Sequence, residues 1–298
     1  MMPAVTALIP TRNRPDCVER LVESIRAQEF GEEIEIVVVD DGSVPPIQID
    51  NVKLIRNETG LGACVARNRG FAAARGEFIL LLDDDTQFAE PTTLRRAVEL
   101  ARQHGDFGAV GFRQLMSNGV PHDCQPAPSE ENCETAYFFG YGVLLRRAAI
   151  QQTKGFEESF GYGYEEQDLC LQLHQAGWRV MYAPQLKLLH HNDPRGRNWT
   201  RIHRLISRNA IRSILLRFPI LLVVPCAVLK WLSFFVESRR RGKVDWSGSF
   251  QMLFDTLKFV PYALRNRCPM PARTLARYSR LKSSPLPIPA YPVAHPAC

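Results

Sequence analysis

An α/β fold, with a mixed, mostly parallel sheet flanked by helices and followed by a helical extension, is predicted by three observations. Short β-branched runs alternate with amphipathic stretches through the first two thirds of the chain, two of those runs end in clusters of aspartate, and composition changes near residue 195. The 298 residues are 45% hydrophobic, enough for one large core and a smaller appendage, which excludes a disordered chain. The net charge of +6 conceals two unlike regions: 18 Lys and Arg against 28 Asp and Glu up to residue 194, then 19 against 3.

Residues 4–9 (AVTALI) read as a strand closed by Pro10, and apolar residues at helical spacing follow from Asp16 to Gln28. IEIVVVDDGS, from Ile34, reads as a buried strand ending in two acids and a turn. A short VKLI run, a glycine turn and a helix over Ala63 to Ala74 come next, then EFILLLDDD, a third strand ending in carboxylates. Strands alternating with helices imply right-handed crossovers, and ligands of such sheets gather beyond the strands' carboxyl ends, where both acidic clusters fall. Residues 114–135 read as a loop, YFFGYGVLLRRAAI as strand and helix start, Glu165 to Ala176 as helix, and WRVMYAP and LKLLHH as two further strands.

Asp83, Asp84 and Asp85 repel one another unless a cation or a web of donors compensates them. Asp83 and Asp85, alternate residues on an extended backbone, can point to one side and hold a hard divalent ion; the alternative is a solvated turn capping a helix near Pro91. Asp40 and Asp41, before Gly42 and Ser43, repeat the arrangement one crossover earlier, where a carboxylate can meet a nucleobase or ribose; alone, the segment is more often a turn. NETGLGACVARNRG sets Gly60 and Gly62 before a helix bearing Arg67 and Asn68, so amides and a cation can approach a diphosphate, or simply enter a helix. Glu165, Glu166 and Asp168 open a helix, where acids suit the macrodipole but also supply a base for an acceptor hydroxyl. His190 and His191 end an apolar strand, and one imidazole can add a metal ligand.

Five segments in this order resemble the family 2 glycosyltransferases of GT-A fold, from Val5 to His191, and are similar to bacterial rhamnosyl and other surface-polysaccharide transferases. PTRNR (Pro10, Thr11, Arg12, Arg14) resembles the nucleotide-binding first loop, VVVDDGS the acids that contact uridine or thymidine (Asp40, Asp41), and NETGLGACVARNRG the approach to the donor diphosphate (Arg67, Asn68). LLLDDDT resembles the metal motif, with Asp83 and Asp85 as ligands and Asp83 and Asp84 beside the donor; GYEEQDL resembles the region of the catalytic base. Glu165-Glu166 stands where the family often has Glu-Asp, so the base lies among Glu165, Glu166 and Asp168, with Glu166 taking the proton; spacing from Pro184 favours His190 over His191 as ligand. The resemblance implies an inverting hexosyl-type glycosyltransferase using Mn²⁺ or Mg²⁺, a UDP- or dTDP-sugar donor, and a glycan or lipid-linked acceptor in cell-surface polysaccharide synthesis.

The expected division is a catalytic domain over 1–195, a basic, apolar helical region over 196–282, and a flexible proline-rich tail over 283–298. Helical runs are expected over Arg201 to Leu216, Pro219 to Val236 and Phe250 to Leu264. Residues 218–229 (FPILLVVPCAVL) contain two prolines and are short for a span, so an interfacial helix is expected, held to anionic lipid by Arg239, Arg240, Arg241 and Lys243; the alternative is a cap packed on the catalytic domain. Eight scattered cysteines without paired spacing suggest reduced thiols, and a start without a signal-like stretch suggests that the chain is not exported. The expected location is the cytoplasmic face of a membrane, and the sequons at Asn57 and Asn198 carry no weight. Two rivals stand beside this reading: a nucleic-acid-binding module using the basic tail, disfavoured because aromatic stacking platforms are not evident there, and a sugar nucleotidyltransferase. No nucleic-acid partner is expected.

Overall fold

The computed structural model describes residues 2–192, 198–240 and 244–288. The expected boundary near residue 195, Arg241, Lys243 and residues 289–298 of the expected tail lie outside them.

The amino-terminal half of the sheet is parallel, in the order β3-β2-β1-β4, from β1 (Val5–Thr11), β2 (Ile34–Asp41), β3 (Lys53–Asn57) and β4 (Phe78–Leu82). Strands covered on both faces need continuous apolar runs, and FILLL of β4 is buried at every position. Helices α1 (Pro15–Arg26) and α3 (Thr93–Gln103) pack Val18, Leu21, Leu94 and Ala97 on one face. Helix α2 (Ala63–Ala73) covers the other, and there Gly70 lets it approach so closely that a Cβ would strike Leu8.

Strand β5 (Thr86–Phe88) leaves the main path and pairs with the end of β9 (Arg179–His190), setting Thr86 opposite His190. Between β4 and β9 lie β8 (Gly142–Arg146), antiparallel to both its neighbours, and β6 (Phe107–Met116), parallel to β9. Strand β7 (Cys133–Thr135) borders β9. The short helix α4 (Arg147–Ile150) follows β8, and α5 (Glu165–Gln175) packs beside α2 on the shared core.

Three expectations are corrected here. WRVMYAP and LKLLHH form one strand, because an irregularity between Ala183 and Lys187 takes up Pro184 without ending it. The expected loop over 114–135 begins inside β6 and contains all of β7. The expected flexible tail over 283–298 begins at the last residue of a helix, Ser283, and then forms a strand, β10 (Leu286–Pro287), paired with β7.

The basic region folds as α6 (Trp199–Arg217), α7 (Ile220–Arg240), α8 (Trp246–Asn266) and α9 (Ala272–Ser283). Helix α7 runs through Pro225 for 21 residues, longer than the apolar core read from sequence, and is long and apolar enough to cross a membrane. Proline removes only one helical bond, and here it stands in the second turn. Helix α6 is held to the main body by buried polar contacts: Arg217 grips Asp168, and Asn209 donates to the carbonyls of Phe160, Tyr162 and Gly163 at 2.7–3.1 Å.

Candidate active site

The carboxyl ends of β1, β2 and β4 open into a cleft of about 600 Å³, lined by Pro10, Thr11, Arg12, Arg14, Asp41, Arg67 and the three consecutive aspartates, and closed on the far side by Tyr162 and the start of α6. The acids arrive there because each ends a buried strand, and β5 folds the 83–85 turn back against His190.

Asp83, Asp85 and His190 place one donor atom each within 4.8 Å of the others. His190 Nε2 lies 2.9 Å from Asp85 Oδ1 but is misaligned for a hydrogen bond, as expected of two lone-pair donors facing one point. Two carboxylates and an imidazole suit Mn²⁺ or Mg²⁺ when oxygen ligands complete the shell, so the residues present fit a divalent cation. Gln114 sits 2.8 Å from His190 Nδ1 and fixes the ring; sequence reasoning missed it, since only the β6–β9 pairing brings it near. His191, by contrast, lies between Ser117 and Gln87.

Asp84 takes hydrogen bonds from Thr11 Oγ1 at 2.8 Å and Arg14 at 3.0 Å, and Arg14 also reaches Asp85 at 3.6 Å. Burial nevertheless raises the Asp84 pKa to about 6, against the pull of Arg14. Arg67, only 3% exposed, donates to Asp83 at 3.0 Å and Glu165 at 3.1 Å and lies 3.7 Å from Glu166. Among the described residues, five carboxylates (Asp83, Asp84, Asp85, Glu165, Glu166) therefore lie against two guanidinium groups, Arg14 and Arg67. Burial raises the pKa of both glutamates; the neighbouring acids add to the shift and Arg67 opposes it. The excess of acid is the electrostatic signature of a cation site.

Among the three candidate bases the geometry discriminates. Glu166 keeps partial exposure and accepts from Gly140 N at 3.2 Å; a Cβ on Gly140 would strike both Glu166 and Arg67, which explains a glycine that sequence reasoning passed over. Glu165 is fully buried against Arg67. Asp168 is corrected: one helical turn on, it faces α6 and is saturated by Arg217, Ser213 and Gln172.

Two further residues are corrected. Alternation along β2 sends Asp41 to the cleft, where it accepts from Asn57 and from Leu61 and Gly62 amides, while Asp40 points away. The Asp40 carboxylate closes its own loop through Ser43, Ile47 and Arg56, and these hydrogen bonds hold its pKa below the usual range although burial opposes them. Asn68 exchanges hydrogen bonds with the Phe156 backbone and donates to Glu158, so it latches a loop and does not reach the cleft. Gly62 is favoured by its φ of +99°, and its amide donates to Asp41.

This sheet, with acids at the carboxyl ends of a parallel half and a histidine returning from a distant strand, defines a protein of the GT-A class. Residues 6–128 match the family described as Glycosyl transferase family 2. It is 27% identical over 214 residues (65% of this chain, 44% of the relative) to a pre-mycofactocin glycosyltransferase of Mycobacterium tuberculosis. It is 31% identical over 215 residues (64% and 61%) to the succinoglycan biosynthesis protein ExoO of Rhizobium meliloti, and 28% over 186 residues (55% and 58%) to the GalNAc(5)-diNAcBac-PP-undecaprenol beta-1,3-glucosyltransferase of Campylobacter jejuni. The chain thus spans less than two thirds of the length of these relatives. In fold it is similar to Staphylococcus aureus TarS 1–349 in complex with UDP (TM-score 0.59, 19% identity, 94% of this chain and 90% of that one). It is also similar to a Pyrobaculum calidifontis mannosyltransferase in complex with GDP-Man and Mn²⁺ (TM-score 0.54, 17% identity, 94% and 76%).

Proposed function

We propose that the protein is an inverting glycosyltransferase that moves a hexosyl group from a UDP- or dTDP-sugar to a hydroxyl of a glycan or lipid-linked acceptor, in surface-polysaccharide synthesis at the cytoplasmic face of a membrane. The observation that carries this reading is the convergence of Asp83, Asp85, His190, Arg67 and Glu166 about one cleft whose other wall is the Thr11–Arg14 loop.

In this reading Pro10, Thr11, Arg12, Arg14 and Asp41 cradle the nucleotide, and Asp84 keeps Thr11 and Arg14 in place. Asp83, Asp85 and His190 hold a divalent cation, Mn²⁺ or Mg²⁺, which supplies charge neutralisation for the departing nucleoside diphosphate. Glu166 takes the proton of the attacking hydroxyl. The acceptor oxygen bonds to the anomeric carbon from the face opposite the breaking bond to phosphate, so the centre inverts without a covalent glycosyl-enzyme. Its raised pKa makes Glu166 a stronger base than an exposed glutamate, and Gly140 and Arg67 fix its rotamer.

Glu166→Gln is expected to retain nucleotide binding and lose transfer by about 10²- to 10⁴-fold. Product analysis provides the wider check: release of a nucleoside diphosphate supports sugar transfer, and release of pyrophosphate would mean nucleotidyl transfer instead.

The membrane part of the reading rests on exposed apolar residues. Leu221 is 87% and Val224 69% exposed on α7, with Trp246, Phe250 and Phe254 on α8 beside them. Helix α7 packs Val223 and Phe234 inward and carries Lys230 at mid-length, where a span would place it in hydrocarbon, so the helices are read as lying in the interface. Leu221→Glu with Phe254→Glu should release the protein from vesicles of anionic phospholipid; unchanged sedimentation would count against membrane docking.

A further inference from the structure

Beside the catalytic cleft lies a second cavity of about 530 Å³ between α6 and α8, and the two share Asn198, Arg201 and Leu205 as walls. Arg201, Arg204 and Arg208 line it from one stripe of α6, at the spacing that stacks side chains on a helix face. From α8 come Gln251, Met252 and Asp255.

The charge is unevenly met. Arg204 is held bidentately by Asp245 at 2.5 and 2.7 Å. Arg208 donates only to the Phe160 carbonyl and Asn209, without a carboxylate contact among the described residues. The Arg201 guanidinium has no partner among them and is exposed to the cavity it lines. Asp255 is the acid on the opposite wall, and it faces Arg212 as well as Arg208. Burial depresses the Arg208 pKa, with Asp255 opposing the shift and Arg201 adding to it, so a further anion here would favour the charged guanidinium. Beyond the cavity, Phe250 and Phe254 of the same α8 are exposed to solvent.

Resting on the glycosyltransferase reading, we infer that this arginine-lined cavity binds the diphosphate of a lipid-linked acceptor. The sugar hydroxyl then enters the cleft and the hydrocarbon chain lies along the apolar surface of α8. The order along the protein matches the order along such an amphiphile: carbohydrate, diphosphate, lipid. Guanidinium groups suit phosphate because their fork of donors fits two oxygens.

The test uses the full chain with the cleft saturated by UDP and Mn²⁺, and farnesyl diphosphate as the probe. Wild type should bind it, and Arg201→Glu and Arg208→Lys should each weaken binding about tenfold or more, while farnesol shows no dependence on either residue. Arg201 is exposed, so its variant folds even where the Arg208 change disturbs the Phe160 loop. Equal affinity of wild type and Arg201→Glu for farnesyl diphosphate would overturn the proposal. So would variants that lose binding only to phosphatidylglycerol vesicles, which would assign the arginines to phospholipid headgroups. Wild type that binds UDP with Mn²⁺ but no farnesyl diphosphate refutes the acceptor site alone; wild type that binds neither takes the transferase reading with it.

Discussion

The two ends of the same parallel strands carry acids in opposite circumstances. At the amino end, Glu35 of β2 accepts from Thr6 Oγ1 at 2.6 Å and from the Arg75 amide and side chain at 3.0 and 2.7 Å. At the carboxyl end, five acids share Arg14 and Arg67. Burial disfavours the ionised carboxylate at both ends, yet the hydrogen bonds of Glu35 outweigh it and lower its pKa, whereas Asp84, Glu165 and Glu166 are raised. An acid whose needs are met within the fold serves the fold; acids left in excess await something from outside it.

Asp85→Ala should break the contrast most sharply. Transfer should fall by at least about 10³-fold through loss of the cation that stabilises the leaving group, and the melting-point rise on adding Mn²⁺ should vanish. The apo protein should melt close to wild type; a large loss of apo stability would make Asp85 a structural residue like Glu35. Asp168→Ala tests an acid of the saturated kind near the cleft. It leaves Arg217 buried and unpaired, and should cost about 3–5 kcal/mol in denaturant unfolding. The smallest effect is expected for Glu35→Gln, about 1 kcal/mol, since Arg75 is largely exposed. The sign follows from the lowered pKa of Glu35. Its contribution is complete above the ordinary glutamate range and is lost as pH falls through the folded-state value, so the variant's acid limb should be shallower.

The strand ends were legible because a buried run stopped by adjacent acids is costly without a partner, although Asp83 and Asp85 converge through a turn closed by the Thr86 amide on the Asp83 carbonyl and not through the expected strand period of two. The same period could have divided Asp40 from Asp41, whose neighbours in space, Arg56 and the Gly62 amide, come from different loops. Helical spacing hides more: Glu165, Glu166 and Asp168 look equivalent in sequence, and only the docking of α6 shows that Asp168 belongs to Arg217. Gln114 and Gly140 carried no local signal, because their positions follow from strand pairing across distant segments. The cleft wall from α6 was hidden for another reason: its arginines read as part of a lipid-facing tail, and the packing that turns them inward depends on α8.

Asn209 gives that packing a further meaning. Its single amide nitrogen lies within hydrogen-bond distance of three carbonyls of the Phe160–Gly163 loop, which runs directly into Glu165 and Glu166. The carboxyl-terminal helices are thus not a detachable anchor. Whatever bears on α7 and α8 bears on the same scaffold that sets the bend before Glu165 and Glu166, so in the proposed reading surface docking and alignment of the base would be inherited together. An exchange of this region between relatives would have to carry an amide at this point or rebuild the loop.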